Sequence, residues 1–351
     1  MHAENQSVSK LRSFLGLVRR GAALVAISAL TALAILELIV TFGPEQPVPP
    51  AWAQAPVAMP FDLRSATVDS RQIRAGGPPK DGIPALTNPS FLKAAEADYL
   101  RPEDRVIGIT LHEQSRAYPL AILNYHEVVN DTIGKTPVAV TYCPLCDSAV
   151  VFDRRTPLGV REFGVSGLLY NSNVLMYDRR GKPESLWSQV QTKGISGPGA
   201  KQQLSVLPCE LTSWESWKAR HPETGVMSTN TGHQRDYSRS PYAGYFAGQE
   251  LMFPVTPLNP RYPNKERVLG VWAGTQFRAY PESAFPADQS RITDTIGDKK
   301  ITVNFDRKRR TFRVEQADEG VLWLYSFWFA WYSLHPETSV YGDAETSTIS
   351  R

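Results

Sequence analysis

Arg105-Val-Ile-Gly-Ile109, followed by Arg116-Ala-Tyr-Pro119, is the stretch that decides the fold of this chain. It recurs as Arg267-Val-Leu-Gly-Val271 followed by Arg278-Ala-Tyr-Pro281, with the same spacing between the two parts. Internal repeats take precedence over single elements, because they reveal the architecture of a whole chain. The recurrence therefore predicts a duplicated unit whose first element is a β-hairpin.

Two further matches follow in the same order. Asn130-Asp-Thr-Ile-Gly134 corresponds to Thr293-Asp-Thr-Ile-Gly297, and each of these polar stretches ending in glycine predicts the turn of a second hairpin. Trp214-x-x-Trp217-x-x-x-His221-Pro-Glu-Thr224 returns as Trp328-x-x-Trp331-x-x-x-His335-Pro-Glu-Thr338, a spacing that places both tryptophans on one face of a helix. The apolar run from Val321 to Leu334 is accordingly predicted to be the core helix of the second copy.

The two copies are unequal. Repeat one spans residues of about 105–226 and repeat two about 267–340, and the second lacks most of the segment between about Asp153 and Leu207. It also has Asp306 where the first has Cys143. The sequence thus predicts a strand-rich α+β fold in which two unequal hairpin and helix units pack as one domain, with the functional site in repeat one only.

Tyr142-Cys143-Pro144-Leu145-Cys146-Asp147 contains two of the three cysteines of the chain. Two thiolates with this spacing can bind one metal ion, and thiolates favour soft metals such as copper. The pair needs further ligands, and His126 is the first candidate because imidazole suits the same ions. Met176 is a further candidate. The first hypothesis is therefore a soft-metal site, most plausibly for copper, built from Cys143, Cys146 and His126.

Two alternatives stay open. Cys143 and Cys146 could instead be the active dithiol of a thiol-disulfide oxidoreductase, although the residues after the pair predict a strand rather than a helix. They could also form a structural disulfide in a non-catalytic binding or assembly module, which is common in exported proteins. Cys209 stays unpaired in each case.

The segment that repeat two lacks mixes polar and aromatic side chains, which suits a ligand pocket and a solvated hairpin equally well. The pocket candidates in it are Asn171, Asn173, Asp178 and Trp187. No residue of the chain is identified as catalytic outside the dithiol alternative, and the sequence names no substrate or protein partner.

The N-terminus predicts export. Residues 1–20 are basic, residues 21–42 form an apolar run long enough to cross a bilayer, and residues 43–78 are a proline-rich linker to a domain at 79–345. The basic flank predicts a cytoplasmic N-terminus and an extracytoplasmic domain, anchored to the membrane or secreted if the chain is cleaved at Ala51-Trp52-Ala53. The net charge of +3 is small, and nothing in the sequence indicates nucleic-acid binding.

Five motifs together resemble one family of bacterial and archaeal proteins. They are KDGIPAL, AYPLAILNYHEVVND, TYCPLC, FGVSGLLYNSNVLMYDR and SLWSQ, which lie between Pro79 and Gly342. The chain is similar to the family known as the domain of unknown function 3179. The resemblance implies an exported or membrane-anchored protein centred on the Cys-Pro-Leu-Cys pair, and it implies no established activity. The family pattern has a small residue after the second cysteine, and Asp147 departs from it.

Overall fold

The computed structural model describes residues 60–179 and 181–343, which lie in one compact unit. The predicted apolar helix at 21–42 and the candidate cleavage site at Ala51-Trp52-Ala53 lie outside the described residues. Within the described ranges, no helix has the length and apolar character that crossing a bilayer requires.

Strands dominate the described residues, which confirms the strand-rich α+β class. In chain order the strands are β1 Ile73–Ala75, β2 Leu86–Thr87, β3 Phe91–Lys93, β4 Arg105–Leu111, β5 Gln114–Pro119, β6 Val128–Ile133, β7 Thr136–Cys143, β8 Ser148–Asp153, β9 Arg155–Thr156, β10 Gly159–Val160, β11 Glu162–Tyr170, β12 Asn173–Arg179, β13 Leu186–Ser188, β14 Lys193–Ser196, β15 Ser205–Leu207, β16 Glu210–Ser213, β17 Gly225–Met227, β18 Arg267–Ala273, β19 Gln276–Pro281, β20 Arg291–Ile296, β21 Lys299–Asp306, β22 Thr311–Ala317, β23 Val321–Phe327 and β24 Ser339–Val340. The helices are α1 Leu120–His126, α2 Trp214–Arg220, α3 Ala243–Ala247 and α4 Trp328–Leu334.

The largest sheet of the described residues has nine strands in the order β2-β6-β7-β8-β23-β18-β19-β24, with β15 also paired to β8. It joins the two predicted repeats, because β23 pairs with β8 on one side and with β18 on the other. Every residue of β8 is buried, as expected for a strand covered on both faces. The sheet packs on a core that includes Val140, Val151 and Tyr325.

Two smaller sheets lie around this one. Strands β16-β4-β5-β17-β3 form the first, and β20-β21-β22 form the second. A third sheet, β1-β11-β12-β13-β14, comes largely from the segment that repeat two lacks. Because β1 pairs with β11 and Phe61 and Ile73 are buried against Tyr177, the fold begins before the boundary predicted at residue 79.

The hairpins β4-β5 and β18-β19 carry the same close contact. A Cβ atom added to Gly108 would lie 2.3 Å from the ring of Trp217, and one added to Gly270 would lie 2.3 Å from the ring of Trp331. The indole nitrogens of these tryptophans donate to Thr224 and Thr338, at 3.0 and 2.9 Å. Glycine is required in both strands because the helix of each unit rests directly on the strand backbone.

The run from Val321 to Leu334 is not a continuous helix. Its first half is the strand β23, and only Trp328–Leu334 is helical. The prediction of one core helix was wrong. The residues of β23 pair with strands β18 and β8, and this tertiary pairing overrides the local preference of the apolar run for a helix.

Candidate functional site

The Cys-Pro-Leu-Cys turn joins the central strands β7 and β8. Cys143 ends β7, residues Pro144–Cys146 form one turn of 3₁₀ helix, and Asp147 has φ 47° and ψ 33° before β8 begins. Both thiols are free and buried. The Cys146 sulfur lies 3.3 Å and the Cys143 sulfur 3.9 Å from the carbonyl oxygen of Ser172, so the turn points both sulfurs to the same side.

The two thiols differ in acidity. Burial acts to raise the pKa of Cys143, but hydrogen bonds from the Cys146 thiol and from the backbone N–H groups of Val174, Cys146 and Leu145 bring that pKa below its ordinary value. Burial and the neighbouring Cys143 sulfur raise the pKa of Cys146. Cys143 is thus the more acidic of the two thiols.

The matching turn of the hairpin β21-β22 has the same shape without cysteine. Cys143 faces Ser148 across its turn and Asp306 faces Thr311 across the other, so four residues lie inside each. The carboxylate of Asp306 accepts the backbone N–H of Arg309 at 3.0 Å, and backbone hydrogen bonds from Arg309 and Lys308 act to lower the pKa of Asp306 against the effect of burial. The sulfur of Cys143 therefore takes the position that a carboxylate takes in the second turn.

Glu127 lies beside the thiols, although the sequence analysis did not select it. It follows α1 with φ 56° and ψ −32°, a strained conformation for this residue, and the amide of Tyr142 donates to its carbonyl oxygen at 2.8 Å. Burial raises the pKa of the Glu127 carboxyl well above its usual range, the charge of Cys143 adds to this, and a hydrogen bond to Tyr242 acts against it. The only sequence feature that could have identified Glu127 as a site residue is its position next to His126 in NYHEVVND.

His126, the predicted metal ligand, is engaged elsewhere. Its Nδ1 lies 2.7 Å from the carbonyl oxygen of Pro84, and its Nε2 lies 2.7 Å from the hydroxyl of Tyr237. Because a carbonyl only accepts, Nδ1 donates and Nε2 accepts from the tyrosine. Burial lowers the pKa of His126 to about 4. Among residues 60–179 and 181–343, no three His, Cys, Asp or Glu side chains are arranged to bind a metal ion.

Of the predicted pocket residues, Asn173 is the one that reaches the thiols. Its side chain hydrogen-bonds Cys146 and donates to Gln189 at 2.9 Å, and Gln189 in turn accepts from Ser148 at 2.6 Å. Ser172, Asn173 and Val174 all belong to the segment that repeat two lacks, so this segment supplies contacts to the sulfurs.

The other candidates lie in the surrounding structure. Asn171 bonds the backbone of Thr256 at 2.9 and 3.0 Å, and Asp178 accepts from the backbone N–H of Ser185. Trp187 is buried against Phe163, with ring centroids 5.9 Å apart. Met176 is buried between β11 and β13, opposite Val165 and Trp187 in the register. Cys209 is a free buried thiol, and burial raises its pKa to about 12.

A cover formed by residues 229–266 closes the site. The hydroxyl of Tyr245, in α3, donates to the carbonyl of Leu145 inside the cysteine turn at 2.9 Å. Lys265 lies 3.4 Å from the centroid of the Tyr245 ring and donates to the carbonyls of Tyr245 and Gly248. The surface of the cover is largely exposed, whereas Tyr245 reaches the buried thiol turn and Tyr242 reaches Glu127.

The fold and the site together define a strand-rich α+β protein with two neighbouring buried thiols in a tight turn between two central strands. A family model described as protein of unknown function (DUF3179) matches residues 80–324. The chain belongs to this family. No match was found among curated proteins or among solved structures.

Proposed function

We propose that Cys143 and Cys146 form a redox-active dithiol that exchanges with a disulfide of a protein or small-molecule partner. The observation that carries the proposal is the turn itself, which directs backbone N–H groups at the Cys143 sulfur as the second turn directs them at the Asp306 carboxylate. A turn that stabilises an anion at this position favours the thiolate, which is the nucleophile in exchange.

The exchange proceeds in two steps. The Cys143 thiolate attacks one sulfur of the partner disulfide, which forms a mixed disulfide and releases the other partner sulfur as a thiolate. The neutral carboxyl of Glu127 gives that thiolate its proton and then takes the proton of Cys146. The Cys146 thiolate attacks the Cys143 sulfur, which closes the internal disulfide and releases the second partner sulfur. Two electrons pass from the dithiol to the partner.

Both sulfurs are buried, so exchange requires displacement of the cover at Tyr242 and Tyr245. This displacement breaks the hydrogen bond of Tyr245 to Leu145 and the contact of Tyr242 with Glu127. It also strains other contacts of the cover, among them Tyr237 with His126 and Phe246 with Phe327. Local opening of an exposed segment costs less free energy than global unfolding.

The test uses oxidised glutathione as the probe and mass spectrometry of acid-quenched protein as the readout. The wild-type chain is expected to form the Cys143–Cys146 disulfide, Cys146→Ser to retain glutathione on Cys143, and Cys143→Ser to retain far less. Glu127→Gln is expected to slow closure of the disulfide by about a hundredfold, as loss of a positioned acid–base group does. Cys209→Ser is the matched control and should behave as wild type. Equal trapping in the two cysteine variants, or no internal disulfide in the wild type, contradicts the proposal.

Soft-metal binding at the same pair is the second candidate. It is favoured by the convergence of both sulfurs on the carbonyl of Ser172, since two thiolates on one side of a turn suit Cu(I). His126 could serve as a further ligand only if its hydrogen bonds to Pro84 and Tyr237 were broken. The test is to measure the copper content of the reduced wild-type protein and of reduced Cys143→Ser. Equal copper content in the two proteins rejects this candidate.

We also infer that the two hairpin and helix units arose by duplication and that residues 21–42 hold the chain at a membrane with the domain outside the cytoplasm. The matching contacts Gly108 to Trp217 and Gly270 to Trp331 support the duplication. The apolar run behind a basic flank supports the membrane anchor.

A further inference from the structure

A basic cavity of about 970 Å³ lies next to the thiol turn. Its lining draws on both hairpins, because Arg105 is the first residue of β4 and Arg267 is the first residue of β18. Besides Arg101, the cationic residues that line it are Arg105, Arg235, Arg239, Lys265, Arg267 and Arg310. The acidic residues that line it are Glu103, Asp104 and Asp236.

The acidic residues do not balance this charge. Asp104 and Glu103 both pair with Arg101, at 3.0 and 3.6 Å, and Asp236 accepts from Ser238. Lys265 is held by backbone carbonyls rather than by a carboxylate. Arg310 pairs with Glu282, outside the lining. Seven cationic side chains line the cavity, and the carboxylates at hand are the three of the lining together with Asp147 and Glu282, so a positive excess remains.

The floor of the cavity shows the same excess. Arg105 and Arg267 share one carboxylate, that of the buried Asp147, at 2.7 and 2.9 Å. These two guanidinium groups overcome burial and lower the pKa of Asp147. Glu282, which pairs with Arg310, also interacts with Arg105 and Arg267, so three guanidinium groups share two carboxylates here. The buried Nε of Arg105 has no hydrogen-bond acceptor within the described ranges. An unpaired buried donor of this kind is a position for an incoming acceptor.

Part of the wall is apolar, although polar side chains such as Asn124, Ser240 and Gln249 also line it. Phe246 of the cover and Phe327 of β23 meet edge to face with centroids 5.9 Å apart, and Leu120 lies on the same cavity. Guanidinium forks match carboxylate and phosphate groups, and an apolar wall suits an organic body. We propose that this cavity binds a small organic anion that carries a carboxylate or phosphate group, with the anionic end toward Arg105, Arg267 and the cover arginines.

This inference goes beyond thiol exchange and does not depend on it. The cysteines do not line the cavity, although Tyr142, the residue before Cys143, donates its hydroxyl to Asp147 at 2.8 Å. Arg235 and Arg239 are exposed on the cover, so both can be replaced without removing the buried Asp147 contacts.

The experiment is isothermal titration of the purified chain with phenyl phosphate, benzoate and inorganic phosphate. We expect saturable binding of phenyl phosphate or benzoate, and weaker binding of inorganic phosphate because it has no apolar part. The double variant R235Q/R239Q should lose about tenfold in affinity, in line with the loss of charge-assisted contacts. Arg74→Gln, an exposed arginine on β1 that does not line the cavity, is the control.

Cys143→Ser separates this proposal from the redox function, because its affinity for the same probes should equal that of the wild type. No saturable binding of any probe overturns the proposal, as does equal affinity in R235Q/R239Q and Arg74→Gln. If inorganic phosphate binds as tightly as phenyl phosphate, the assignment of an organic ligand is overturned.

Discussion

Replacement of Glu127 by glutamine is expected to stabilise the folded protein at neutral pH. Burial, followed by the charge of Cys143, raises the pKa of this carboxyl in the fold. In the unfolded chain the pKa of a glutamate is about 4.3. Between the two values the folded state holds a proton that the unfolded state has lost, so the wild-type free energy of unfolding falls as pH rises.

The size of the effect follows from this difference of one proton. The wild-type free energy of unfolding should fall relative to that of Glu127→Gln by about 1.4 kcal/mol for each pH unit above about 4.3. The fall ends at the pH where the folded carboxyl ionises. Glutamine keeps the shape and the hydrogen bond to Tyr242, and it cannot ionise in either state.

Urea unfolding of the reduced proteins from about pH 5 to about pH 8 measures the difference, provided that the denaturant slopes agree. Glu103→Gln is the control, because the exposed Glu103 side chain makes only an ion pair with Arg101 at 3.6 Å. Its difference from the wild type should stay flat over the same range. A flat difference for Glu127→Gln as well would refute the assignment of a neutral buried carboxyl.

Two further predictions follow from the fold and the N-terminus. Gly108→Ala and Gly270→Ala should each lower the free energy of unfolding by about 1–3 kcal/mol, because the added methyl group overlaps a tryptophan ring. Gly244→Ala, which meets no atom within 4 Å, is the control, and unchanged urea midpoints contradict the prediction. Alkaline phosphatase fused after residue 345 should be active in cells with the full chain and inactive when residues 1–59 are removed; activity in both would reject export by this segment.

Local sequence signals predicted the local elements. The hairpin predicted from Arg105 to Pro119 forms, with a turn at His112 and Glu113 where both residues have positive φ. The glycine turn at Gly134 lies where the sequence placed it. The paired tryptophans also lie on helices as predicted, and these helices end just before His221 and His335. These features depend on residues near one another in the chain, so a single stretch carries the information.

Non-local features could not be predicted in the same way. The strand β23 is defined by its partners β8 and β18, and the residues of Val321–Phe327 alone suit a helix as well as a strand. The candidate site likewise combines a part that the local sequence predicts and a part that it does not. The cysteine turn was evident from the sequence. Tyr237, which hydrogen-bonds His126, and Tyr242, which hydrogen-bonds Glu127, were not, because they come from the cover, which is distant in sequence and has no motif of its own.

The second turn indicates why the cysteines are not needed for the fold. Asp147 and Arg310 have φ values of 47° and 53° at corresponding positions, so the two turns share their backbone shape. In the second turn, Asp306 provides the anion that the N–H groups of Lys308 and Arg309 surround. In the second turn the Asp306 carboxylate is also paired with the Arg309 guanidinium at 3.0 Å, so the turn forms without a thiol. Thiols, unlike carboxylates, can exchange with disulfides and have affinity for soft metals. This comparison supports the proposal that the pair has a chemical role, under which Cys143→Asp should fold and lose both disulfide exchange and soft-metal binding.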